Sequence, residues 1–203
     1  MKNMKKAFTL AETLVVLGVI SFIAIILLPT LKNIKPNNEH LMFRKVYYLT
    51  SNLVSEIINN SDLYPEPDDD VSFFLSNVSD VTYYGENYGG DTKFCKIFSS
   101  KLNTSGPVQC EEKAFVDNNT PDSQFRTADG VHWILPITRF EDKDVEYPIY
   151  VDTNGDKMPN CAYDEESCKK PDRFTIYIKR DGKLIINGEK EREYLEKTDV
   201  TGG

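Results

Sequence analysis

Phe8-Thr-Leu-Ala-Glu-Thr-Leu-Val-Val-Leu-Gly-Val-Ile-Ser-Phe-Ile-Ala-Ile-Ile-Leu-Leu28 decides how this chain is read, because it is apolar from end to end and holds one charge, Glu12. As a helix rising ~1.5 Å per residue it would extend roughly 32 Å. The hydrocarbon core of a bilayer is about 30 Å thick, so the length predicts a membrane span. Met1 to Ala7 precede it with Lys2, Lys5 and Lys6 and no acid. Lysines ahead of an apolar run hold that end on the cytoplasmic side, so everything after about Leu31 is expected to be exported. No second run of this kind exists in the 203 residues.

Three kinds of segment begin this way. A secretory signal peptide has a basic start, but its apolar stretch is about 7–15 residues and ends in a small-x-small cleavage site. This run is longer and ends in Leu27-Leu28-Pro29. A plain membrane anchor fits the length and leaves Glu12 unexplained, since a carboxylate near a helix centre costs ~2.5–3.5 kcal/mol on insertion scales. The third kind uses every feature. Lys5-Lys6-Ala7-Phe8-Thr9-Leu10-Ala11-Glu12 resembles the class III signal of type IV pilins and type II secretion pseudopilins. In that family a basic leader ends in a small residue, the cut precedes a Phe, and a Glu stands fifth in the mature chain. Glu12 is fifth counting from Phe8. Ala7 stands where the family usually has Gly, and Pro29 falls where many members carry a proline.

The resemblance implies a plan that the rest of the chain can be laid against. Residues 1–7 would be the leader and 8–31 the membrane-spanning and filament-core helix. Residues 32–203 would be the exported domain. The expected fold is α+β and pilin-like: one long N-terminal helix, membrane-spanning in its first half, packed by its second half on a C-terminal antiparallel β-sheet. Independently, Phe43, Val46, Tyr47, Leu53, Val54, Ile57 and Ile58 recur at three- and four-residue spacings, which predicts an amphipathic helix over about 37–60. Pro36 is expected to kink the chain just before it. Residues 61–129 carry little regular signal and read as a variable loop. From about 130 to 188, Val131–Ile137, Val145–Val151, Arg173–Lys179 and Lys183–Asn187 are short, β-branched and aromatic, as half-buried strands are. Asp181-Gly182 is a hairpin turn signal between the last two. The remainder, from Glu189, reads as a polar tail.

Cys95, Cys110, Cys161 and Cys168 are the four cysteines. Four cysteines in an oxidising compartment allow three connectivities. The pairing Cys95–Cys110 with Cys161–Cys168 closes the shortest loops and is the one expected here. Zinc is the competing use, but no C-x-x-C pair exists and His40 lies far from the cysteines in sequence.

Val151-Asp-Thr-Asn-Gly-Asp-Lys-Met-Pro-Asn160 is the stretch that could carry ligand chemistry. Asp152, Asn154 and Asp156 place oxygens at alternate positions, a spacing that suits calcium. An EF-hand is excluded, because Lys157 and Tyr163 stand where Gly and Glu would be required. The Met158 carbonyl and one of Asp164, Glu165 or Glu166 are the expected completing ligands. The plainer reading is an Asx-capped turn started at Asn154-Gly155. The stretch also resembles the D-x-N-G-x-x-x-P-N segment of pilin-like proteins, and some pseudopilins bind calcium in a loop near the C-terminal strands.

Composition narrows the function classes. Lys+Arg 24 against Asp+Glu 32 gives a net charge of -8, a poor match to the phosphate backbone, so no nucleic-acid partner is expected. There is no G-x-S-x-G elbow, phosphate-binding Gly loop or H-E-x-x-H, so no enzyme is expected. The resemblance implies a structural subunit of a type IV pilus or a type II secretion pseudopilus. Its implied partners are a prepilin peptidase cutting between Ala7 and Phe8 and methylating Phe8, other subunits assembling with the help of Glu12, and an inner-membrane assembly platform. The expected location is single-pass in the cytoplasmic membrane, N-terminus inside and domain outside, then in the filament. The alternative is an uncleaved membrane-anchored extracytoplasmic binding or adhesive domain, a calcium-binding one included.

Overall fold

The computed structural model describes residues 10–33, 38–65, 74–111, 123–155 and 157–196, without the side chains of 24–33, 38–39 and 190. The chain divides into two units, 1–38 and 39–203. The first contains helix α1, Leu10–Asn33. Its described side chains, Leu10 to Ile23, are all exposed.

The second unit begins with helix α2, Asn38–Ile58. One stripe of this helix, Phe43, Val46, Leu53, Val54 and Ile57, is buried. Thr50 lies on the same stripe, fully buried, and its hydroxyl donates to the Val46 carbonyl at 2.8 Å, so no polar group is left unmet there. A small hairpin follows, β1 Val81–Tyr83 and β2 Glu86–Tyr88, then helix α3, Lys93–Ser100. Phe94, Ile97 and Phe98 sit three and four apart and form the buried face of α3.

Six strands then build one antiparallel sheet in sequence order: β3 Gln109–Cys110, β4 Ser123–Arg126, β5 His132–Ile134, β6 Tyr147–Asp152, β7 Arg173–Ile178 and β8 Leu184–Ile185. The period-2 rule assigns its faces. Phe125, Trp133, Val151 and Phe174 stand opposite one another across four strands, and all are buried. Phe43 of α2 stacks on Phe174 at 4.2 Å, and Phe98 of α3 lies 5.4 Å from Trp133, so α2 and α3 both cover this inner face. The next row, Gln124, Ile134, Tyr150 and Thr175, points the other way. The β7–β8 turn has Gly182 at φ +79, and a Cβ there would come within 2.9 Å of Ile58, so the turn meets α2 only as glycine.

The structure corrects the expected architecture. Among the described residues a single long N-terminal helix, membrane-spanning and then sheet-packed, is not found. The described helical residues form two helices in different units, and Pro36, which cannot donate a helical hydrogen bond, lies in the interval between them. Among the described residues no helix is long and apolar enough to cross a membrane. The single-pass inner-membrane location and the transmembrane helix are corrected on the same ground.

Six elements lie where no regular structure was expected. β1, β2, α3, β3 and β4 fall within 61–129, and β3 and β4 give the sheet six strands rather than the four segments the sequence offers. The stretch from Glu189 is a helix up to Glu196, α4. Tyr194 anchors it, edge-on to His40 at 5.8 Å and to Tyr163 at 4.8 Å.

Candidate functional site

Two regions draw attention, one in each unit. In the first, Leu10, Leu14, Val15, Val16, Leu17, Val19, Ile20, Phe22 and Ile23 are each about half exposed or more. The helix is apolar on all sides, so no face distinguishes core from solvent. Glu12 lies in its first turn, where the helix macrodipole favours a carboxylate. Ala7 and Phe8, the expected cleavage and methylation positions, lie outside the described residues, as does Asp156.

In the second unit the β6–β7 connection is organised by one residue that the sequence did not single out. Asp172 is 1% exposed. Its Oδ2 accepts the Asn154 side-chain amide and the Asn160 backbone N–H, each at 2.9 Å, and its Oδ1 accepts the Cys161 N–H at 2.9 Å. The carboxylate thereby folds the loop back on itself from the start of β7. Asp152, the last residue of β6, is also buried; its Oδ1 accepts the Asn154 N–H and its Oδ2 the Arg173 Nε–H, both at 3.2 Å. Burial holds the Asp152 carboxyl above its ordinary value, with Asp172 adding to the rise and Arg173 and the Asn154 N–H offsetting it. Met158 is 80% exposed.

Around Asp152 the loop gathers oxygens. The Asn160 side-chain amide places one terminal atom 3.1 Å from Asp152 Oδ2, 3.0 Å from the Gly155 carbonyl and 3.2 Å from the Lys157 carbonyl. Asn154 Oδ1 is buried with no hydrogen-bond partner. Gly155 has φ +71 and the Gly130 carbonyl 2.8 Å from where a Cβ would be, so only glycine turns the chain here. Of the expected ligands among the described residues, Asp152 alone joins this group. Asn154 faces Asp172 through its nitrogen, and Glu165 caps the Ala162 N–H at 2.9 Å. Among the described residues no group of three or more His, Cys, Asp or Glu side chains could hold a metal ion. The oxygens here come mainly from carbonyls and an amide, which carry no sequence signal of their own.

Disulfides flank this architecture. Cys95 of α3 bonds Cys110 of β3, and Cys161 bonds Cys168, separations of 15 and 7 residues. No free cysteine remains, which removes thiolate zinc ligation. The outer sheet face next to the second disulfide carries a cavity of about 1000 Å³, lined in part by Tyr150, Tyr177, Asp164, Arg173 and Glu191. Burial raises the Glu191 carboxyl, and Asp164 adds to the shift.

No family model, curated protein or solved structure matches this chain.

Proposed function

We propose that the chain is a filament subunit of the prepilin and pseudopilin kind, assembling through α1 with other subunits. The observation that carries the reading is the exposure of every described side chain of an apolar helix. Burying one Val, Leu, Ile or Phe side chain gains ~1.5–3 kcal/mol. Covering even half of the nine large apolar side chains exposed on α1 would offset an association cost of about 4–15 kcal/mol. A bundle of such helices from many copies supplies that cover. The basic leader, Phe8 and Glu12 support the same reading from sequence, with a prepilin peptidase and an assembly platform as partners. The chemistry belongs to those partners; this chain contributes a sticky helix and a disulfide-tied domain.

The test is expression of the full chain in a host carrying a pilus or type II secretion machinery. Intact-mass analysis should show loss of Met1 to Ala7 and gain of one methyl, and the sheared fraction should contain filaments of this protein. Val16→Asp, which sets a charge on the exposed helix, should abolish filaments while leaving both disulfides formed. Retention of Met1, or undiminished filaments from Val16→Asp, would overturn the reading.

A further inference from the structure

We infer that the cavity on the outer sheet face is a binding site for an extended peptide segment that carries arginine, with Tyr150 and Tyr177 in its floor and Asp164, Glu189 and Glu191 as partners of the guanidinium. The inference is independent of filament assembly. It rests first on shape. The cavity holds about 1000 Å³, the top of the roughly 300–1,000 Å³ range of ligand pockets. That is more than one amine or one sugar ring fills, and enough for a few residues of chain. Ile134, Tyr150 and Thr175 form one outward row across β5, β6 and β7. Tyr177 lies two residues beyond Thr175 and so shares that face. Tyr150 and Tyr177 are therefore diagonal neighbours, a spacing at which aromatic side chains still reach one another. Tyr150 is 48% exposed although β6 has a strand on each side.

The second argument is charge. Asp152, Asp164, Glu165, Glu189 and Glu191 all line the cavity. Two of these carboxylates are used within the chain: Asp152 accepts Arg173 Nε–H at 3.2 Å, and Glu165 caps the Ala162 N–H at 2.9 Å. Among the described residues Arg173 is the one lysine or arginine lining the cavity, and that contact engages it. Glu191 is half-buried, with the Thr175 N–H 3.5 Å from its Oε1. Burial raises its carboxyl and Asp164 adds to the rise, as two like charges held close do. The segment of Asp164 and helix α4 meet through the edge contact of Tyr163 and Tyr194 at 4.8 Å, so the three remaining carboxylates belong to one packed flank.

An aromatic floor beside an acidic flank selects a cation on an apolar stem. Arginine meets both: its planar guanidinium stacks on tyrosine and takes carboxylates in a fork. The compact, strongly hydrated ammonium of lysine does neither as well. In an extended segment alternate side chains face the same way, so arginine at every second position would present successive guanidinium groups to this one face. Other occupants fit less well. Among the described residues no group of three or more His, Cys, Asp or Glu side chains could hold a bare metal ion. A second copy would set like charge against like, since the chain carries -8. Nucleic acid is repelled for the same reason.

The experiment is calorimetric titration of the full chain, held in neutral detergent, with the end-blocked peptide Gly-Arg-Ala-Arg-Ala-Gly. Wild type should bind it, and more weakly as salt is raised. The same peptide with citrulline, the neutral isostere of arginine, should bind about tenfold weaker or worse. Tyr150→Ala should lose about twofold to fivefold, the cation–π share at a partly exposed ring, and Tyr150→Phe should keep it. Asp164→Asn with Glu189→Gln should lose about tenfold. Glu86→Gln with Glu141→Gln removes the same charge outside the cavity and should leave affinity unchanged. All these positions but Tyr150 are fully on the surface, and melting temperatures near that of wild type would show that each variant folds. Equal loss from the two charge pairs would reduce the binding to general attraction by an acidic protein and overturn the site. So would equal binding of the arginine and citrulline peptides, or no binding by wild type. Spermidine or chitotriose binding as tightly as the peptide would make the ligand a free polyamine or a neutral sugar, and would overturn it too.

Discussion

Lys93 of α3 holds its ammonium 4.5 Å from the centroid of the Tyr64 ring, with both side chains buried. The ammonium also donates to the Asn77 and Ser79 carbonyls at 3.0 and 2.9 Å. One lysine therefore ties α3 to the chain that follows α2 and to the approach to β1. Burial pushes the Lys93 amine down to about 8, with Asp80 acting in the opposite direction.

The sign of its pH dependence follows. The folded value lies below the ordinary 10.5, so the unfolded chain binds more protons between pH 8 and 10.5. Below pH 8 the amine is charged in both states and the burial penalty is fully present. As pH rises through that window the penalty fades, and this group's contribution to stability increases. Lys93→Met should remove the rise, and should cost about 1–3 kcal/mol at neutral pH through the two carbonyls left without their donor. Urea melts of both proteins at pH 7.5 and 10 check it; parallel pH trends in the two would defeat the assignment.

Asp172 should be among the costliest polar positions in the second unit. Asp172→Ala leaves three part-buried donors, from Asn154, Asn160 and Cys161, without their acceptor. Hydrogen bonds to a charged group are worth ~1.5–3 kcal/mol each and overlap in a shared site, so the loss should be about 3–5 kcal/mol. Asp172→Asn, which keeps one acceptor oxygen, should lose less. Chemical denaturation measures both, and a loss under ~1 kcal/mol for the alanine variant would mean that the loop does not depend on this carboxylate.

Part of this organisation is legible in sequence, and part is not, for physical reasons. The spacing of Phe43, Val46, Leu53, Val54 and Ile57 places α2, because a buried stripe must repeat with the helical period. β6 and β7 announce themselves as alternating β-branched and aromatic runs. β3 and β4 do not: Gln109-Cys110 and Ser123–Arg126 are short and largely polar, and they become strands by pairing with neighbours. α3 has only eight residues, too few for periodicity to stand out. Asp172 is invisible as the partner of Asn154, since nothing local links positions eighteen apart. The carbonyls of Gly155 and Lys157 are invisible in principle, because every residue has one.

The Cys95–Cys110 bond should matter more than Cys161–Cys168. The first closes a 15-residue loop and joins α3 to the edge strand β3, with both sulfurs in the core. Chain entropy alone gives it ~3 kcal/mol, about 0.7 kcal/mol more than a loop of seven. Replacing Cys95 and Cys110 by Ala should lower the melting temperature by about 6–12 °C. Replacing Cys161 and Cys168 should lower it less, since Cys161 N–H is held to Asp172 whether or not the bond is present. The reverse order of melting temperatures would show that the short loop, and not the α3–β3 tie, carries the stability.

Glu12 gives the sharpest test of assembly. It lies in the first turn of α1, where a carboxylate complements the partial positive charge of the helix N-terminus, worth ~0.3–1 kcal/mol. That role is complete within one subunit and predicts a small effect of replacement. Assembly predicts a large one. Once α1 is packed among other apolar helices, a carboxylate is desolvated unless it meets a cation, and cleavage before Phe8 would create one, the new amine. A neighbour one step out of place would bury that charge without a partner, so the pair would set the register between copies. Breaking a well-buried pair by removing one member can cost ~3–5 kcal/mol. Glu12→Gln keeps the shape and removes the charge; Glu12→Ala removes both. Each should retain leader cleavage, because the cut lies upstream of the side chain, and each should retain the folded second unit with its two disulfides. Filament mass in the sheared fraction should fall at least tenfold for both. If Glu12→Gln assembles normally while Glu12→Ala fails, shape and not charge sets the register. If both assemble normally, the carboxylate serves α1 alone and the charge-pair mechanism is wrong.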